Sequence, residues 1–274
     1  MMFQTLLLSV YLLAAPQSVS VQQDIDAKIE AYEEVVKSKG RVPEAIAHLD
    51  GLLQLYKSLQ ERAEAIAESL DIGEGEKKEL EAEAKQLGKD QESLVDAVWL
   101  AFSAKTRKDL RPPENLELWR TAAVVLGYMG PDGAERLWDA FEDKRFNKDV
   151  EFRAHIVKQI GSTKDYDQWK ELVDLLDYKD ELVIAAAGEA LVKFGEAPVK
   201  IRQSAAEVLV KRLESYQNAA ASGEDDTARR IYRTVRDPMI RALSSLTGQS
   251  FRDPLEWTKW WNNEGKKKDY WKDA

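Results

Sequence analysis

The chain has 274 residues, 49 acidic and 40 basic side chains, a net charge of −9, no cysteine and two histidines. A hydrophobic fraction of 44% is enough to bury a core, which excludes wholesale disorder, and the acidic balance excludes a basic protein that coats nucleic acid. Without cysteine there is no disulfide framework, thiolate zinc site, thiol nucleophile or lipidated N-terminal cysteine, and two histidines leave little material for imidazole metal sites.

Residues 1–20 have the layout of a secretory signal peptide. The run Leu6 to Ala15 is apolar apart from Ser9 and Tyr11. It is about half the length needed to cross a bilayer. Pro16 is expected to break a helix there, and Ser18 and Ser20 place small residues at the −3 and −1 positions of a cut after Ser20. No Lys or Arg precedes the apolar run. The expectation is an exported protein, periplasmic or extracellular, with no integral membrane segment once the leader is removed; the alternative for this segment is a buried N-terminal helix.

Residues 21–105 are expected to form an N-terminal helical hairpin or bundle. Ile25, Ile29, Tyr32 and Val36 share one helix face, and Gly40 and Pro43 stop that helix and start the next. Between 43 and 70 a seven-residue seam holds Ile46, Leu49, Leu53, Tyr56, Ala63, Ala67 and Leu70, with Gln60 as its polar member. A second stripe, Leu52, Leu59 and Ile66, runs beside it. Two adjoining stripes fit a helix packed against two neighbours. Asp71 to Gly75 reads as a turn. A third helix then carries Leu80, Ala84, Leu87, Leu94, Val98 and Ala101, with Gly88 placed to bend or split it. Two arrangements fit: a rod that pairs with a partner's helix, or an intramolecular hairpin or three-helix bundle.

From Leu118 the pattern repeats. The segments 119–130, 153–161 and 184–195 superimpose, with Leu126, Ile160 and Leu191 equivalent at offsets of 34 and 31 residues. A second amphipathic helix follows each, over 134–141, 169–176 and 205–213. A helical pair cannot bury its apolar face alone and must stack on the next, so this period predicts an all-α fold, an α-solenoid over 106–264. Small residues, Ala122, Ala123 and Ala185 to Gly188, would let helices approach closely. Gly130 and Gly195 read as left-handed caps, a position Lys164 takes in the middle unit.

These segments resemble HEAT repeats, through the Arg120 to Gly127 helix, the turn Gly130-Pro131-Asp132-Gly133 and the leucine-rich helix that follows. The resemblance covers roughly 90–264 and is clearest over 118–213. It implies a curved stack whose concave face binds proteins or peptides, with no catalytic residues. Further on, Asp237-Pro238 reads as a helix start. The run Leu246-Thr247-Gly248 to Phe251 then leads into Asp253-Pro254, Trp257, Trp260 and Trp261. This is similar to the terminal unit of exported bacterial HEAT-repeat proteins. The three tryptophans share a face, which closes the open end of the repeat core, or else stacks on sugars or holds a cation. Residues 265–274, with Lys266-Lys267-Lys268, read as a flexible, solvated tail.

Chemistry-bearing patterns are few. His48 stands near Glu44 and Asp50 without a second histidine, and His155 reads as a packing or surface residue. Glu224-Asp225-Asp226 suits a helix N-terminus. No phosphate loop, nucleophile elbow or zinc-protease motif occurs. Arg229, Arg233 and Arg236, flanked by Arg230, make a guanidinium stripe that could receive an acidic peptide or anionic polymer, or pair with local acids. The weak binding candidates are therefore Arg229, Arg233, Arg236, Trp257, Trp260 and Trp261. The expected function is a non-enzymatic interaction scaffold of the envelope or periplasm, without cofactor or metal. Its partner would be another protein and not nucleic acid. The alternative is a glycan- or envelope-associated structural protein that uses the aromatic C-terminus.

Overall fold

The structure, a computed structural model, describes residues 14–69, 74–105, 114–222 and 226–271. The described residues are all-α, with eleven α-helices and no strand among them. These are α1 (Ala14–Lys37), α2 (Val42–Ser69), α3 (Glu74–Ser103), α4 (Glu114–Leu126), α5 (Gly130–Glu142), α6 (Val150–Ser162), α7 (Trp169–Asp174), α8 (Glu181–Leu191), α9 (Val199–Ala221), α10 (Asp226–Thr247) and α11 (Pro254–Trp260). The packing divides the chain into two compact units, Met1–Val125 and Leu126–Ala274. Residues 1–13 of the expected leader, Leu70 of the expected seam, Asp71 to Gly73 of the expected turn, the segment 106–113, Glu224-Asp225 and residues 272–274 of the expected tail lie outside the described residues, and Glu74 and Gly75, expected in that turn, instead begin α3.

In the first unit α1, α2 and α3 each pack against the other two, the intramolecular three-helix arrangement. Ile25, Tyr32 and Val36 of α1 are fully buried. In α2 Leu49, Leu52, Leu53, Tyr56 and Leu59 are buried, so both stripes enter the core. Further along the two stripes part. Ala63 is half-buried and Ala67 exposed, whereas Ile66 stays buried. A straight helix drifts about 20° per heptad from a seven-residue seam, enough to carry the first stripe out of contact while the second takes its place.

Two expectations about breaks in this unit are corrected. Helix α1 runs through Pro16, because the ring's fixed φ is itself helical and allows the residues after it to continue the helix. Helix α3 is continuous through Gly88, which is exposed with open space where a Cβ would stand. A single glycine costs a helix only about 1 kcal/mol, less than burial of Leu87, Leu94 and Val98 supplies. Trp119 of α4 donates from its indole N–H to the Ala101 carbonyl at 2.8 Å, satisfying one of the carbonyls left open at the end of α3.

In the second unit the helices fall into two rows. Helix α6 packs on α8 and α8 on α10, while α7 packs on α9 and α9 on α11. Within the first row the spacing is set by small residues. A Cβ on Gly161 would lie 2.5 Å from Ala190 Cα, and one on Gly188 would lie 3.1 Å from Pro238 Cβ. Two ion pairs rung the same row, Lys158 to Glu189 at 2.7 Å and Arg241 to Glu189 at 3.4 Å. They are partly solvated and contribute little beside the packing.

The helix ends confirm some local expectations and correct others. Asp253 caps α11 by accepting from the Leu255 N–H at 3.0 Å, with Pro254 as the first helical residue. Gly40 and Gly130 hold left-handed backbone, at φ 75° and 60°. Gly195 does not. It lies in a short 3-10 segment, Val192–Glu196, and its missing Cβ makes room for Ser245, whose Oγ would stand 2.6 Å from it. In the middle unit Lys164 takes the left-handed conformation itself, at φ 55°. Asp237-Pro238 is not a helix start, because α10 begins at Asp226 and passes through Pro238. The proline is buried and seated on Gly188, so interhelix packing offsets the hydrogen bond that its ring removes.

Candidate functional site

The arginine stripe lies on the first half of α10. Asp226 in the first turn holds Arg229 at 2.5 Å, and Glu181 of α8 pairs with Arg230. Arg236 reaches Asp237 Oδ1 at 3.4 Å and donates to the Arg252 carbonyl at 2.9 Å. Local acids therefore hold three of the four guanidinium groups. Arg233 is exposed and makes no hydrogen bond or ion pair among the described residues, and neither does the Arg252 side chain.

Arg233 stands over a cleft of about 550 Å³ walled by α9, α10 and the segment leading into α11. Gln217, Tyr232, Arg236, Asp237, Arg252 and Asp253 line it with Arg233. A second hollow of about 540 Å³ shares Gln217, Tyr232 and Arg233 and continues toward Ala220, Ala221 and Arg229. Together they make one trough along α10. Gln217 Oε1 is buried in the wall without a hydrogen-bond partner among the described residues. Burial pushes the Tyr232 phenol up. The neighbouring Arg236, which also hydrogen-bonds it, acts in the opposite sense, and Asp253 and Asp237 add to the rise. The phenol is neutral at physiological pH and keeps its O–H as a donor.

Sequence spacing marks Arg229, Arg233 and Arg236 because one helix carries them. Gln217, Tyr232 and Arg252 escape that reasoning. Arg252 lies 16 residues from Arg236 on a separate segment, and only the fold of α10 back toward α11 brings them together. The residues flanking Arg252 do signal a helix cap, but a cap says nothing about which cleft the preceding side chain lines.

Two of the three tryptophans, Trp257 and Trp261, turn inward, and Trp260 is half-buried. Trp257 is fully buried and donates to the Phe251 carbonyl at 3.0 Å. Trp261 is 3% exposed, and Trp260 lies edge-on between Trp257 and Tyr270, with ring centres 5.8 and 5.1 Å away. The described part of the expected flexible tail, residues 265–271, contributes to this cluster. Trp271 is buried and donates to the Gly265 carbonyl at 2.6 Å, and Tyr270 donates to the Thr247 carbonyl. The lysine run hid this because the residues that pack, Tyr270 and Trp271, come after it. Gly265 is required here, since a Cβ would lie 2.6 Å from the Trp261 ring.

A third hollow, of about 490 Å³, is acidic, with Asp132, Glu135 and Glu142 around Trp138. Trp138 donates to Gln168 at 2.8 Å. Among the described residues no group of three His, Asp or Glu side chains is placed to hold a metal ion, the His48 neighbourhood included. No described helix is long and apolar enough to cross a membrane. Comparison of the chain with family models, with curated proteins and with solved structures gives no match.

Proposed function

We propose that the chain is a non-enzymatic protein-interaction scaffold, built of HEAT-like helical pairs behind a helical N-terminal module and exported from the cytoplasm. The observation that carries this reading is the row order of the second unit. Helices α6, α8 and α10 lean on one another in sequence, as do α7, α9 and α11, and this is the neighbour relation a stack of helical pairs requires. Such a stack offers extended surface, and the clefts on this one are open and lined by charged side chains rather than by a convergent reactive set. The leader-like composition of residues 1–20 supports export.

The alternative, an envelope protein that binds glycan through its aromatic end, has weaker support. A sugar needs an open ring face, and the rings of Trp257 and Trp261 are already covered by protein. Cross-linking with mass spectrometry in the source cell tests the scaffold. Reproducible cross-links from residues 126–271 to one protein are expected. A chain linked only to itself would overturn the reading, and finding Met1 retained in the native protein would withdraw export.

A further inference from the structure

From the trough along α10 we infer a binding site for an extended acidic peptide segment, with one carboxylate held between Arg233 and Arg252. The inference rests on the scaffold reading and adds to it the chemistry of the partner.

Four observations lead here. First, on a chain of net charge −9, two guanidinium groups facing one cleft have no carboxylate partner among the described residues, although carboxylates are abundant and take up Arg229, Arg230 and Arg236. Second, the charges around the main hollow are three arginines, Arg233, Arg236 and Arg252, against two acids, Asp237 and Asp253, a surplus of one positive charge. One carboxylate balances that surplus, whereas a dianionic phosphate would exceed it. Third, the walls are not purely ionic. Tyr232, Pro254, Ala220 and Ala221 provide apolar surface, and Gln217 and the neutral Tyr232 hydroxyl provide hydrogen-bonding groups. A peptide backbone uses both kinds of wall, and a bare anion uses neither. Fourth, the trough has the length of a short peptide. From Arg229 to Arg236 is seven residues, about 10 Å of helix, which is about three residues of extended chain. A planar guanidinium donates two parallel N–H···O bonds to a carboxylate, giving both hold and orientation.

The test uses the full chain and a fluorescein-labelled peptide of alternating glycine and glutamate, followed by anisotropy at low salt. Its glutamine counterpart serves as the neutral probe, with acetate and inorganic phosphate as competitors. The glutamate peptide should bind at least tenfold more tightly than the glutamine peptide. The double variant Arg233→Ala/Arg252→Ala should lose at least tenfold in affinity. The variant Lys193→Ala/Lys211→Ala removes the same charge from exposed positions outside the trough and should bind as the parent does. All four side chains are exposed, so matching circular dichroism and melting curves will show that the fold is intact. Absence of binding up to about 1 mM, equal binding of the glutamine peptide, an unaffected arginine variant, or displacement by phosphate at lower concentration than by acetate would each overturn the inference. Repeating the cellular cross-linking with the arginine variant keeps the two readings apart: a partner recovered as well by the variant as by the parent leaves the scaffold standing and removes the trough from it.

Discussion

Adding one methyl group at Gly161 should destabilise the protein, while the same change at Gly88 should stabilise it. Gly161 lies on α6 against α8, where the new Cβ would meet Ala190 Cα at 2.5 Å and its Cβ and carbonyl oxygen at 2.7 Å. Ordinary contact begins at 3.4 Å, so the two backbones must part by about 0.9 Å. No flexible side chain can swing aside, because the obstructing atoms are backbone and a Cβ. Nor is α8 free to retreat, since its other side is seated on Pro238 through Gly188. Overpacking of this kind costs about 1–3 kcal/mol. Alanine recovers about 0.5–1 kcal/mol of helix propensity; because the obstructing atoms are backbone, the overpacking cost lies in the upper half of its range, about 2–3 kcal/mol, and the net loss is about 1–2 kcal/mol. For units of this size that lowers the melting temperature by about 2–8 °C. At Gly88 only the propensity gain remains, about 0.5–1 kcal/mol, because nothing lies within 4 Å. Urea unfolding followed by tryptophan fluorescence and by circular dichroism measures both. Six of the eight tryptophans, Trp138, Trp169, Trp257, Trp260, Trp261 and Trp271, lie beyond residue 125, so fluorescence weights the unit that holds Gly161. A Gly161→Ala variant as stable as the parent, or more so, would refute the claim that backbone proximity sets the α6–α8 spacing.

Lys164→Gly should stabilise by about 0.5–1 kcal/mol in urea unfolding. The left-handed backbone that lysine occupies at φ 55° suits glycine, and the exposed pair that it loses with Glu196 contributes little. Trp271→Ala should cost about 3–5 kcal/mol by the same assay, since a buried ring and its bond to Gly265 are removed; an unchanged midpoint would restore the tail to solvent. The Glu44 carboxyl is held below the ordinary carboxylate range, first by its hydrogen bonds from Arg41 and then by that residue's charge. Its folded value is the lower one, so the pair's stabilisation is present above the unfolded value and lost as pH falls through the folded one. Carbon-detected NMR titration should show Glu44 protonating at lower pH than free glutamate, and Arg41→Gln should move it back up. No movement on that substitution would refute the assigned cause.

What the sequence alone determined here is local periodicity. The stripes Ile25–Tyr32–Val36 and Leu49–Tyr56 already specify which faces are buried, because burial of one helix face leaves a 3.6-residue mark in any chain. Asp253-Pro254 already specifies a helix start, because a cap is satisfied within a single turn. Asp237-Pro238 carries the same signal and means something else. Whether a proline begins a helix or sits inside one depends on what packs against its ring, and here that is Gly188, about fifty residues earlier in the chain. The glycines divide in the same way. Gly88 and Gly161 look alike in sequence, yet one faces open space and the other a neighbouring backbone. The trough is likewise tertiary. Helical spacing places Arg229, Arg233 and Arg236 on one side of α10, but the return of the chain into α11 brings Arg252 into the same cleft as Arg233, and the acids contributed by neighbouring turns and helices decide which guanidinium groups remain unpaired among the described residues. Side chains distant in sequence become partners only through folding, and sequence order holds no record of the distance between them.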